Sequence, residues 1–283
     1  MDQDKSGLIS DDEMIREACQ IIEKANEEKI ILRLLGAMGI VMTCSTVSKD
    51  CLETYKKLER LGGGTSMFTD IDFAAYAKQK KDIEKFFKNS LGFKPDMAIN
   101  ALFGNKRLMY YNTAKNYSVD IFLDKLEFCH DIPFVNPKGC GRLELFDYYI
   151  PPEDLLLEKL QIHDITYKDI VDIAMLLLTH KIGDSTSQGS LNGKYVANIL
   201  CDDWGFWYDA MNNLRTVEKY INKFVEEKKF TREQAAVVLS NLASLINLID
   251  ATPKTNRWNK RAKDGTKKLW YRPVAEMEKR INV

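Results

Sequence analysis

The sequence predicts an α+β chain, with a strand-bearing N-terminal domain over residues 1–150 followed by an all-helical domain over residues 151–283. Three observations predict it. Between about residues 98 and 149, short β-forming runs alternate with turn signals such as Gly104-Asn105 and Pro137-Lys138-Gly139. From there to about residue 250 nearly all apolar residues recur at helical spacing. At the junction stands Pro151-Pro152-Glu153-Asp154, a helix start with proline in the first turn and acids beside the positive helix end.

The elements follow in order. Ile15, Ala18, Ile21, Ile22 and Ala25 give one face of a helix over residues 11–28, with Asp11 and Asp12 available to cap it. Residues 30–35 form a buried strand that runs into a turn at Gly36, and a helical stretch continues to about residue 61. It stops at Gly62-Gly63-Gly64, a flexible loop. Residues 67–73 alternate apolar and acidic positions, as a strand does, and residues 74–90 form a charged amphipathic helix. Strands are expected at about 98–103, 107–113, 117–123 and 142–149.

The bulk composition excludes several classes. With 283 residues, 45% of them hydrophobic and 29% charged, the chain can bury an ample core. Lys plus Arg equals Asp plus Glu at 41 each, so only a local cluster can point to nucleic acid. Cysteines 19, 44, 51, 129, 140 and 201 form no Cys-x-x-Cys pair, which fits a reducing, cytoplasmic setting. The polar, acidic N-terminus is no signal peptide, and no apolar run reaches the ~18 residues of a membrane span.

Two acidic motifs carry the chemistry. In Thr69-Asp70-Ile71-Asp72-Phe73, strand alternation puts Asp70 and Asp72 on one side, roughly 6.6 Å apart along the chain, while Ile71 and Phe73 face the core. Ser118-Val119-Asp120-Ile121-Phe122 repeats the grammar with one acid. If the two strands pair, the three carboxylates make a cluster that needs hard cations, and Mg²⁺ held there suits phosphoryl transfer. Gly36 lets backbone approach a triphosphate at a helix start. In the helical half, Lys159 sits in the apolar stripe of Leu155-Leu156-Leu157-Glu158-Lys159-Leu160. There it is either a phosphate-contacting cation or a snorkelling lysine. Asp169 and Asp172 share a helix face at i, i+3.

A Gly turn after a strand, then Asp-Ile-Asp-Phe, then Val-Asp-Ile-Phe, resembles the polymerase-β-like nucleotidyltransferases. The later Leu-x-x-Lys-Leu and Lys-Asp-x-x-Asp-Ile motifs look like the abortive-infection type, toxin-related branch of that class. The resemblance runs from about Ile31 to Leu178. It implies a mixed sheet with helices, followed by a helical domain that closes over the nucleotide. It implies metal binding by Asp70 and Asp72, with Asp120 as a third ligand or as the group that activates the acceptor hydroxyl. Lys159 would contact the triphosphate, and Asp169, or in second place Asp172, would hold Lys159 or contact the nucleotide. The chain departs from the pattern at Ala37, where the family carries Gly or Ser. It departs again in the 34 residues from Gly36 to Asp70, a longer gap than in the archetype.

Other features have plainer readings. His130, His163 and His180 show no metal-ligand spacing and read as surface or packing residues. Trp204, Trp207 and Tyr208 read as core or cleft wall. Residues 2–13 match a calcium-loop pattern, but no helix precedes them, and an acidic terminus capping the next helix explains them as well. The stretch from Lys254 to Arg272 holds basic residues at 254, 257, 260, 261, 263, 267, 268 and 272 against Asp264 alone, interleaved with Trp258, Trp270 and Tyr271. Such a mixture suits an RNA or tRNA acceptor, or else a solvated loop whose tryptophans anchor the last helix. The expected function is Mg²⁺- or Mn²⁺-dependent transfer of an NMP from an NTP to an acceptor. RNA, a protein or a small molecule can fill that place, and the rival reading is a degenerate nucleotide- or RNA-binding module.

Overall fold

The structure is a computed structural model that describes residues 9–62, 66–135 and 141–273. Most of the calcium-loop match, and part of the Gly62–Gly64 loop, lie outside the described residues. The chain divides into two compact units. The first comprises Met1–Gly39, Gly64–Leu126 and Pro133–Ile150; the second comprises Ile40–Gly63, Glu127–Ile132 and Pro151–Val283.

The first unit is built on a mixed sheet. Its strands are β1 (Leu32–Leu34), β2 (Ile71–Ala75), β3 (Lys94–Pro95), β4 (Arg107–Asn112) and β5 (Tyr117–Leu123), in the order β1-β2-β5-β4-β3. β2 and β5 run parallel, and the other neighbours are antiparallel. The pairing sets Ile71 opposite Val119, Phe73 opposite Ile121, and Leu108 and Tyr110 opposite Ile121 and Val119. These six side chains are fully buried on one face. The opposite face carries Asp72, Asp120, Met109 and Arg107.

Helix α1 (Asp11–Glu27) buries Met14, Ala18, Ile21, Ile22 and Ala25. Its cap is Ser10, which accepts a bond from the Glu13 N–H, rather than Asp11 or Asp12. Asp11 is taken up instead by the Met67 N–H and the Ser66 hydroxyl.

Several elements differ from expectation, each for a local reason. The helix after Gly36 is two helices, α2 (Gly36–Val47) and α3 (Cys51–Lys57), broken at Ser48-Lys49-Asp50. The expected strand at 67–73 begins only at Ile71 and continues to Ala75, which shortens the helix after it. That helix passes through a 3-10 turn (Ala77–Gln79), α4 (Lys80–Lys85) and a π turn (Phe86–Ser90). Residues 98–103 belong to helix α5 (Met97–Phe103). Asp96 caps it by accepting from the Ile99 N–H, and Met, Ala and Leu are strong helix formers. Residues 142–149 form turns, with Tyr149 making an isolated bridge to Leu34. Short strands β6 (Lys125–Glu127) and β7 (Asp131–Pro133) complete this part of the chain.

The second unit is helical: α6 (Pro152–Leu160), α7 (Tyr167–Thr179), α8 (Gly193–Asp202), α9 (Trp204–Glu226), α10 (Arg232–Ala251) and α11 (Asn256–Ala262). A small parallel pair, β8 (Lys181–Gly183) and β9 (Ser190–Asn192), interrupts it. Every residue of α6 is buried. Contrary to the expectation of no candidate span, α10 is long and apolar enough to cross a membrane. It packs against α7, α8 and α9 through Ala235, Val238, Leu242, Leu245 and Ile249, as a bundle helix does.

Candidate functional site

The parallel register of β2 and β5 places Asp72 directly opposite Asp120 on one sheet face. Asp70 stands just before β2, where the Thr69 hydroxyl donates to its Oδ1 at 2.9 Å. One ligand oxygen from each of the three lies within 4.8 Å of the other two. Asp120 is buried, and Asp70 and Asp72 are half-buried. Like charges 4.8 Å apart repel by about 1 to 3 kcal/mol per pair, between the limits of water and an effective dielectric of 20. Such a cluster needs positive charge beside it.

Part of that charge comes from Arg107 at the start of β4. Its Nε and Nη2 donate to the two oxygens of Asp120 at 2.7 and 2.6 Å, a bidentate fork. Its guanidinium also lies 5.5 Å from the Phe122 ring centroid. Burial pulls the Arg107 pKa down, but the bonds to Asp120 and the charges of Asp120, Asp72 and Asp70 outweigh it, so the group is held above its ordinary range.

Gly36 closes one side of the cluster. It takes a left-handed φ of +67°, and a Cβ built there would stand 2.9 Å from Asp72 Oδ2. The adjacent Leu35 N–H donates to the Asp72 carbonyl at 3.0 Å. Glycine is therefore required twice, by backbone conformation and by the approach of the carboxylate. The positive end of α2 begins at the same residue, and half-buried Ala37 follows as its second residue. The donor set among the described residues fits a hard divalent cation: three carboxylates with oxygens close enough to share one or two ions.

The helical residues have a different placement. Lys159, Asp169 and Asp172 lie in the second unit, and all three are buried. Lys159 Nζ pairs with Glu158 at 3.0 Å and with Asp172 at 3.3 Å. Asp172 also receives Arg60 Nε and Nη2 at 2.7 and 3.0 Å, and the Tyr55 hydroxyl. Desolvation works against the Asp172 charge, yet Lys159 and Arg60 overcome it and hold its pKa below the usual carboxylate range. Burial likewise opposes the Lys159 charge, and Glu158 and Asp172 push its pKa up regardless. In this structure Lys159 is buried and pairs with carboxylates of its own unit, so it does not snorkel to solvent, and Asp172 rather than Asp169 holds it. Asp169 acts on Lys159 through its charge, with its carboxylate bonded to Thr166. It forms a capping box with Thr166 at the start of α7.

Two features escape sequence reading. Arg107 joins the acidic cluster only through the β4–β5 register, which no linear motif announces. His130 and His163 converge on buried Asp209 at 2.8 and 3.0 Å, with Trp270 Nε1 donating to it at 2.9 Å. Burial raises the Asp209 pKa, and the bonds from His130, Trp270 and His163 more than offset it, so the net value lies below the usual. Trp270 thus anchors the basic C-terminal stretch. Arg257 pairs with Asp202 and Asp203, Arg261 lies over Trp204, and Arg272 binds the Phe128 carbonyl. The lysines at 260, 263, 267 and 268 stay exposed.

Comparison with protein-family models, with curated proteins and with solved structures finds no match to this chain. The geometry of its own residues therefore carries the functional reading.

Proposed function

We propose that this chain is a divalent-cation-dependent nucleotidyltransferase that moves an NMP from an NTP to an acceptor hydroxyl, the hydroxyl oxygen bonding to the α-phosphorus as the α–β anhydride bond breaks and pyrophosphate leaves. The observation that carries this reading is the in-register pairing of Asp72 with Asp120, completed by Asp70 and flanked by Gly36 against Asp72. Asp70 and Asp72, the more accessible pair, would hold Mg²⁺ or Mn²⁺. When bound, the cation supplies positive charge for the triphosphate and for the oxygens on which charge builds during transfer. Asp120 serves as the third ligand or takes the proton of the acceptor hydroxyl. Gly36 and Ala37 present the positive end of α2 to the phosphates. Lys159 and Asp172 enter as part of the buried scaffold of the second unit, and Asp169 as the cap of α7.

An RNA acceptor, tRNA included, is favoured over a protein or small molecule by the exposed lysines of the C-terminal stretch. A cytoplasmic setting accords with the unpaired thiols at Cys19, Cys44, Cys51, Cys129 and Cys201. The toxin-related part of the resemblance rests on the helical motifs, in which Glu158, Lys159, Asp169 and Asp172 are buried in the second unit and Lys168 is exposed. A second reading, nucleotide binding without transfer, has one observation in its favour: Arg107 occupies both oxygens of Asp120.

The test is incubation of the protein with each α-³²P-labelled NTP, Mg²⁺ and total cellular RNA, beside an Asp70→Ala control. Label on RNA that disappears in the control is the expected result. Label on protein keeps the chemistry and replaces the acceptor. Nucleotide binding with no label on any acceptor favours the binding module and overturns the enzyme.

A further inference from the structure

Arg107 combines two features at this site. Its fork takes both oxygens of one carboxylate of the candidate cluster, and the charges of the other two also bear on it. Yet its side chain keeps 28% of its surface exposed, against 6% for Asp120. Register explains the placement. Arg107 lies opposite Phe122 and Asp120 lies opposite Met109, so the arginine and the acid are diagonal neighbours on the acidic face. Phe122 offers its ring face as a platform for the guanidinium. The cluster therefore contains an internal cation that competes for Asp120 with any external one. It also contains the planar, multi-donor group that recognises phosphate oxygens best. Lys159, the cation that sequence reading assigned to the triphosphate, is occupied in the buried network.

We propose that Arg107 is the phosphate-contacting cation of this site, stored on Asp120 until a divalent cation and a nucleoside triphosphate arrive. The inference rests on the nucleotidyltransferase reading. With the site empty, Arg107 neutralises part of the acidic cluster. With the site filled, the guanidinium gives up at least one oxygen of Asp120 and turns its donors to the triphosphate. Asp120 is thereby released for ligation or for the acceptor proton. Arg107 thus weakens binding of the bare cation and strengthens binding of the nucleotide.

Opposite signs in two titrations of one variant test this. Mn²⁺ alone is titrated into the wild type, Arg107→Ala and Asp72→Ala, followed by electron paramagnetic resonance of free Mn²⁺. A triphosphate with a non-cleavable α,β-methylene bridge is then titrated at saturating Mn²⁺. For Arg107→Ala, Mn²⁺ should bind several-fold tighter and the triphosphate about tenfold weaker, the loss of one charge-assisted contact. Arg107→Lys keeps the charge without the fork and should recover part of the triphosphate affinity. Its thermal melt beside that of Arg107→Ala separates a folding defect from a binding one. Unchanged triphosphate affinity in a folded Arg107→Ala, or Mn²⁺ binding weakened along with it, makes Arg107 a support for Asp120 and overturns the proposal. If the wild type binds no Mn²⁺, or binds it as well as Asp72→Ala does, the cation reading fails and takes this inference with it.

Discussion

Asp172→Ala removes the carboxylate that Arg60 and Lys159 share inside the second unit. The side chain is fully buried, so the variant leaves a forked guanidinium and an ammonium in a low-dielectric interior, with Glu158 still beside the lysine. Breaking such a buried pair costs about 3–5 kcal/mol, since the remaining charges keep their desolvation penalty. Lys159→Met is milder. Asp172 then retains both Arg60 bonds and the Tyr55 hydroxyl, the methionine fills most of the lysine volume, and the cost is about 1–3 kcal/mol. Urea unfolding followed by tryptophan fluorescence measures both. All four tryptophans, at 204, 207, 258 and 270, lie in the second unit, so the signal reports that unit. The expected order of midpoints is wild type, then Lys159→Met, then Asp172→Ala. An Asp172→Ala midpoint equal to wild type would refute the buried-network argument. Unchanged stability with lost triphosphate affinity in Lys159→Met would return that lysine to the nucleotide.

Gly36→Ala should cost about 1–2 kcal/mol for a left-handed alanine, and should displace the Asp72 carboxylate it would touch. A lowered melting temperature with Mn²⁺ affinity reduced about tenfold is expected, and wild-type Mn²⁺ affinity in the variant would contradict the packing. His180 is buried between the Thr43 and Thr179 hydroxyls, and burial depresses its pKa to about 4. The folded state therefore resists protonation that the unfolded chain accepts below its ordinary 6.5. This contribution is fully present above pH 6.5 and is lost as pH falls toward 4, about 2 kcal/mol of it by pH 5. Urea midpoints at pH 7 and pH 5 should separate less in His180→Gln than in the wild type; equal separations would show that His180 titrates normally.

What could be read from the chain follows how local each signal is. Amphipathic α1 and the helical half were legible because helical periodicity repeats over many residues. Asp70, Asp72 and Asp120 were legible because each acid stands among β-formers, and the parallel pairing then places two of them in register. Residues 98–103 were misread as a strand because the deciding signal is a single cap, Asp96. The pairing of Lys159 with Asp172 was legible as a spacing on neighbouring helices, but the Arg60 that shares the carboxylate was not, because it lies far away in sequence. Arg107 and the Asp209 hub were invisible for the same reason: each depends on partners brought together by pairing or packing. The basic C-terminal stretch was legible as a composition but not as a structure. Its tryptophans face their own unit while most of its lysines face solvent.

The central claim is that Asp70, Asp72 and Asp120 together hold a divalent cation. Its most direct test is Mn²⁺ binding to the wild-type chain, compared with Asp72→Ala, with a thermal melt of each. Saturable binding that is lost in Asp72→Ala, while the melting temperature stays within a few degrees, is the expected result. Equal Mn²⁺ binding by the two, or none by the wild type, would contradict it.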